Sequence, residues 1–204
     1  MADSDRPLGI GNDIVDLAQQ GQPHHPRFMD RILCGMEREQ LQTAADLWIF
    51  WAAKEAAYKA LSQLRPHIPF EPAQFQFDLT AHVVRWQELI LPCRIDRSQD
   101  YVHVICASAA EGLDRSVLIS GMQRCPGLTP KEASRAVREA LLGSLAQKLG
   151  IGIKALSIAA AEVGGPRYPQ VTRNGLALTL PLSLSHDGDY FAWCYVLSTA
   201  SVVS

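Results

Sequence analysis

The chain has 204 residues, of which 48% are hydrophobic and 20% charged, with a formal net charge of -2. These proportions suit a globular protein with a sizeable core and exclude a disordered or fibrous one. The small net charge argues against a dedicated nucleic-acid binder, and no apolar run approaches the roughly 20 residues of a membrane span.

The first residues, MADSDRPLG, lack the apolar stretch of a secretory signal. The five cysteines, Cys34, Cys93, Cys106, Cys125 and Cys194, are scattered, odd in number and without a C-x-x-C pair. They read as core filler rather than a disulfide framework or a zinc site, and the expected compartment is the reducing cytoplasm.

In chain order, residues 8–17, LGIGNDIVDL, predict a short strand running into a turn, and residues 27–42 predict a helix. A second helix starts near Thr43, with Asp46 three places on as a capping-box partner. After Pro66 the segments FEPAQFQFDL, HVVRWQ, LILPCRI and YVHVICASA predict an antiparallel meander. SVLISGM is a further strand. LTPKEASRAVREALLGSLAQKLG is a helix with Thr129 as N-cap, Pro130 in the first turn, Glu132 closing the box and Gly150 ending it. IKALSIAAAEV, LALTL, PLSLSH and YFAWCYVLS supply strands again, with a turn at Asp187-Gly188. DYVHVICASA and DYFAWCYVLSTA close two stretches of similar order. The expected fold is therefore α+β, a pseudo-dimer of two half-domains over residues 8–112 and 113–204. Each half is a small antiparallel sheet packed with a long helix, and the cleft between them is where a site would form.

Phasing the helix from Thr43 at about 100° per residue gathers Ile49, Ala53, Ala56, Ala57, Ala60 and Leu64 on one side. Trp48, Trp51, Glu55 and Lys59 fall opposite. Glu55 and Lys59 are either a solvated i,i+4 pair or part of a second burial surface lining a cleft, and the two tryptophans favour the second. Asp13 either caps a turn or serves as a carboxylate ligand for a hard cation such as Mg²⁺. His186 is either a surface residue beside a turn or, with Ser185, a phosphate-binding group.

Three segments together, G-I-G-N-D-I-V-D at 9–16, W-A-A-K-E-A-A-Y-K-A at 51–60 and L-S-L-S-H-D-G-D-Y at 182–190, resemble the 4′-phosphopantetheinyl transferase superfamily. Their order is that of the short holo-acyl-carrier-protein synthase type, whereas the length and repeat are those of the longer, fused type. The resemblance implies an enzyme that transfers the 4′-phosphopantetheine arm of coenzyme A to a serine of an acyl or peptidyl carrier protein and releases adenosine 3′,5′-bisphosphate. It implies a monomer with one site between the halves. Asp13 and Glu55 would hold Mg²⁺, Lys59 would offset developing charge and Lys54 would reach a phosphate from the cleft's edge. Ser185 and His186 would bind the 3′-phosphate of coenzyme A.

The chain departs from the family pattern in two places. The longer type carries a second acid two places after the metal Asp, where this chain has Val15; Asp16 stands three places on, as in the short type. The family's Gly-Lys-Pro corresponds to Gly164-Gly165-Pro166-Arg167, with Arg167 the candidate substitute for the lysine. Arg27 and Arg31 resemble the basic helix of the short type, which touches carrier protein or coenzyme A, and equally fit a solvated face. A rival from another class is a non-catalytic binder of coenzyme A or of a carrier protein on the same scaffold.

Overall fold

The structure is a computed structural model that describes residues 7–20, 26–65, 67–114, 116–159 and 168–197. It is of α+β class. β1 (Ile10–Asp16) leads through two short helices, α1 (Pro26–Ile32) and α2 (Gly35–Gln40), into the long α3 (Ala44–Ser62). β2 (Gln76–Asp78), β3 (Val83–Trp86), β4 (Leu89–Arg97) and β5 (Tyr101–Ala107) follow as an antiparallel meander. β5 then pairs with β1, which gives one five-stranded sheet in the order β1-β5-β4-β3-β2.

β6 (Leu118–Arg124) and the helix α4 (Pro130–Leu149) begin a second run. β7 (Leu156–Ala159), β8 (Gln170–Arg173) and β9 (Leu176–Ala177) form a small sheet of their own. β10 (Leu182–Asp187) and β11 (Tyr190–Val196) pair as a hairpin and, with β6, make a three-stranded sheet in the order β10-β11-β6. Among the described residues no helix is long and apolar enough to cross a membrane.

The local signals for the two long helices hold. Thr43 Oγ1 accepts from the Asp46 N–H at 3.2 Å while Asp46 Oδ2 accepts from the Thr43 N–H at 2.7 Å, a closed capping box. Thr129 and Glu132 close the same box on α4, and Gly150 ends that helix in the left-handed region. Glu132 is thus accounted for by capping.

Four expectations are corrected. The helix over 27–42 breaks at Leu33 and Cys34, because Glu37 turns back to accept the Cys34 N–H at 2.7 Å and starts a new helix there. The β10–β11 turn falls on Gly188 and Asp189, one residue later, where Gly188 takes φ 53° and its missing side chain leaves room for Asp16. LALTL contributes only the two-residue β9, and QVTR forms β8. The reading of every cysteine as unpaired filler fails for one pair: Cys93 and Cys106 stand opposite each other on β4 and β5 and form a disulfide.

β1 is buried along its whole length. Val15 on one face belongs to the core that α3 makes with the five-stranded sheet. Ile10 and Ile14 on the other face pack against Leu118, Cys194, Tyr190 and Ala192 of the three-stranded sheet. The close approach of α3 requires a glycine. A Cβ on Gly11 would lie 1.9 Å from the Ala56 carbonyl oxygen, a backbone atom that cannot yield. Gly11→Ala is expected to lower stability by about 2 kcal/mol or more, measured as a reduced urea midpoint at unchanged slope.

Candidate active site

A cleft of about 550 Å³ opens where β1, α3 and β10 meet. Its polar lining includes Asp13 from β1, Glu55 and Lys59 from α3, and Ser185, His186 and Asp187 from β10. Phe28, Trp48 and Trp51 form an aromatic wall.

Small residues set this geometry. The close contact of β1 with α3 brings position 59 beside position 13, and Lys59 Nζ donates to Asp13 Oδ1 at 2.7 Å and to the Asn12 carbonyl at 3.1 Å. Ser185 Oγ donates to the same Asp13 Oδ1 at 2.9 Å from the other sheet. No hydrogen bond to Asp13 Oδ2 forms among the described residues. An ammonium has three protons, so Lys59 keeps one for a further acceptor.

β10 reaches β1 in an unusual way. The backbone N–H groups of Asn12, Ile14 and Asp16 donate to Ser183 Oγ (2.9 Å), Ser185 Oγ (3.1 Å) and Asp187 Oδ2 (2.9 Å). Each pair is separated by 171 residues, so the two strands run parallel and are joined by side chains instead of a backbone ladder. Gln63 extends the clasp: its amide donates to the carbonyls of Ile10 (2.7 Å) and Leu182 (2.9 Å).

The tryptophans are sheltered, not left in water. The Phe28 ring of α1 lies 5.9 Å from Trp48 and 6.2 Å from Trp51, and Phe70 lies 5.8 Å from Trp51 on its far side. This apolar wall and the surrounding burial push the Glu55 carboxyl up to about 7; Lys59 opposes the shift and Asp13 adds to it. Burial likewise raises Asp187 above the usual carboxylate range, opposed by its bond from the Asp16 N–H and reinforced by Asp13.

The structure thus brings Asp13, Glu55, Lys59, Ser185 and His186 around one cleft. His186 is exposed there. Lys54 lies elsewhere and corrects the expectation that it reaches a phosphate. It is fully buried, and its ammonium donates to Glu37 Oε2 at 2.7 Å, the Ile32 carbonyl at 2.6 Å and the Pro72 carbonyl at 3.0 Å. Three acceptors consume three protons, so none remains for an anion. Burial lowers the Lys54 pKa and Glu37 opposes that shift. Gly164-Gly165-Pro166-Arg167, including the candidate Arg167, lies outside the described residues. Arg27 and Arg31 are exposed on α1.

Sequence reasoning missed Phe28, Asp187, Ser183 and Gln20, whose amide donates to Asp187 Oδ2 at 2.7 Å in the cleft lining. The alternation Ser183, Ser185, Asp187 was a period-two signal for the clasp, but it carried no indication of which strand stood opposite.

Residues 9–106 match the family model of the 4′-phosphopantetheinyl transferase superfamily. The match takes in just under half of the chain and marks that segment as similar to this superfamily. It contains Asp13, Glu55 and Lys59 and ends before β10, so the Ser185-His186 side of the cleft lies beyond the matched region. The superfamily is one of transferases that work with coenzyme A, carrier proteins and a divalent metal. No curated protein matches the chain.

Residues of the matched segment fit such a metal in donor chemistry. Asp13 and Glu55 offer hard carboxylate oxygens, and the Asp13 charge adds to the raising of the Glu55 carboxyl, a repulsion that a cation would relieve. No group of three or more His, Cys, Asp or Glu is placed to hold a metal among the described residues. Two protein carboxylates are a number that suits Mg²⁺ when water and phosphate oxygens complete its shell.

The raised Glu55 pKa has a stability consequence in metal-free protein. Between pH 4.5 and about 7 the unfolded chain ionises this carboxyl while the folded chain keeps it protonated, so folding loses stability as pH rises through that window. Glu55→Gln removes the dependence. In EDTA the variant is expected to gain on the wild type by up to about 3 kcal/mol between those limits, read from urea unfolding across pH.

Proposed function

We propose that the protein transfers the 4′-phosphopantetheine arm of coenzyme A to a serine hydroxyl of an acyl or peptidyl carrier protein, releasing adenosine 3′,5′-bisphosphate. One observation carries this reading: Asp13, Glu55 and Lys59, all within the matched domain, share a cleft with His186 from the opposite sheet. A non-catalytic binder has no use for two carboxylates and an ammonium at the point where a pyrophosphate would sit.

The reaction needs positioning and charge neutralisation more than covalent chemistry. Asp13 and Glu55 would hold Mg²⁺, which when bound neutralises charge on the pyrophosphate. The Lys59 ammonium turns from Asp13 to donate a hydrogen bond to a phosphate oxygen and offsets the charge that develops on the leaving bisphosphate. Glu55, half-buried beside the aromatic wall, also serves as the cleft's acceptor for the serine proton. His186 binds the 3′-phosphate of coenzyme A at the open side. Phe28, Trp48 and Trp51 keep water from one flank of the reacting groups.

The architecture supports a pseudo-dimeric monomer divided at 8–112 and 113–204, with the site between the halves. β1, α3, the β2–β4 segment and β5 recur in order as β6, α4, the β7–β10 segment and β11. The halves differ in where the helix packs: α3 lies against β1 and β5, whereas α4 lies against β10 and β11. Among the described residues α4 packs chiefly on β10 and β11, so it does not bring an acid and a lysine to β6 as α3 does to β1, which supports one site between the halves.

Incubation of an apo carrier protein with this protein, coenzyme A and Mg²⁺ is expected to add one phosphopantetheine by intact mass, and EDTA to prevent it. Asp13→Asn and Glu55→Gln are expected to abolish the gain with the fold retained by circular dichroism. Lys59→Ala is expected to slow it on the order of a hundredfold. Coenzyme A binding without transfer to fatty-acid, polyketide or peptide carriers would replace this reading with the non-catalytic binder.

A further inference from the structure

The Ser185 hydroxyl has a single proton, and that proton is given to Asp13 Oδ1 at 2.9 Å. Its oxygen meanwhile accepts the Ile14 N–H at 3.1 Å. An anion needs a donor, and Ser185 has none left to offer one. The side chain is held from both sides and is only 7% exposed. His186, next to it, is exposed and its ring makes no hydrogen bond among the described residues, so it can meet a phosphate.

Lys59 is the other donor to Asp13 Oδ1, but it is the less fixed of the two. Its side chain is 29% exposed, and the transfer reaction calls its ammonium toward phosphate. When Lys59 turns to substrate, Ser185 remains as the donor that fixes the Asp13 carboxylate. Because both bonds fall on Oδ1, they turn Oδ2 over to whatever binds in the cleft.

Resting on the transferase reading above, we infer that Ser185 is a positioning residue that orients Asp13 for the metal from the opposite sheet, and does not bind the 3′-phosphate. The geometry supplies its own control. Ser183 is also buried and accepts the Asn12 N–H at 2.9 Å, but it makes no hydrogen bond to a carboxylate among the described residues. Ser183→Ala and Ser185→Ala each remove one clasp acceptor; only the second releases Asp13.

Two readouts test this in the full-length protein. The first is Mn²⁺ binding, followed by loss of the free-ion paramagnetic resonance signal with coenzyme A present and no carrier protein. Ser185→Ala is expected to weaken Mn²⁺ about tenfold or more, Ser183→Ala to leave it near wild type, and Ser185→Thr, which keeps the hydroxyl, to restore it. The second is transfer with coenzyme A against 3′-dephospho-coenzyme A. The Ser185→Ala penalty is expected to be equal for both donors and to shrink as metal is raised.

A penalty that vanishes with 3′-dephospho-coenzyme A would overturn the inference in favour of a phosphate contact. So would equal Mn²⁺ weakening by Ser183→Ala and Ser185→Ala, which would reduce Ser185 to a part of the clasp. Mn²⁺ binding is read without turnover. A wild type that binds Mn²⁺ yet transfers nothing would overturn the transferase reading, and the Mn²⁺ comparison would still decide the role of Ser185.

Discussion

β1 is an edge strand that is buried along both faces, and its outward N–H groups must find acceptors where no water and no backbone partner is available. The oxygens of Ser183, Ser185 and Asp187 supply them at a constant offset along β10. Leaving such donors unpaired would cost roughly 1–3 kcal/mol each, so the clasp fixes the register of one sheet on the other. Two edges that would otherwise be open templates for aggregation thereby close on each other. The apolar contacts of Ile10 and Ile14 seal the joint on one face, and α3 covers the other.

The cleft is a by-product of the same constraint. Gly11 lets α3 come close enough for Lys59 to meet Asp13, and the parallel register lets Ser185 meet it from the opposite side. Glu55 stands one turn before Lys59, against aromatic rings, and its carboxyl is raised for that reason. The proposed function thus rests on a carboxylate gripped by two sheets and a helix. The buried Lys54–Glu37 pair serves the same end at a distance, because it ties α2 and the end of α1 to α3, and α1 carries Phe28 onto the tryptophans.

Much of this was legible in the chain. The two capping boxes, the small-residue face of α3 and the contrasting face with Trp48, Trp51, Glu55 and Lys59 follow from periodicity, and they hold because local rules and packing agree there. Lys54 was misread because adjacency to Glu55 in sequence is a rotation of about 100° on a helix, which sends it into the core. The Cys93–Cys106 disulfide depended on a strand register that spacing alone does not reveal. The break at Cys34 came from a side chain folding back on the backbone, and the role of Ser183 and Ser185 from a contact with a strand 171 residues away.

The central claim is that one cleft, built by β1, α3 and β10, holds metal and coenzyme A together. Anomalous scattering from Mn²⁺ in crystals grown with coenzyme A tests it most directly. The account predicts a manganese peak within bonding distance of the Asp13 and Glu55 carboxylates, with the coenzyme A pyrophosphate beside it and the 3′-phosphate at His186. A peak remote from both carboxylates, or coenzyme A bound outside this cleft, would contradict it.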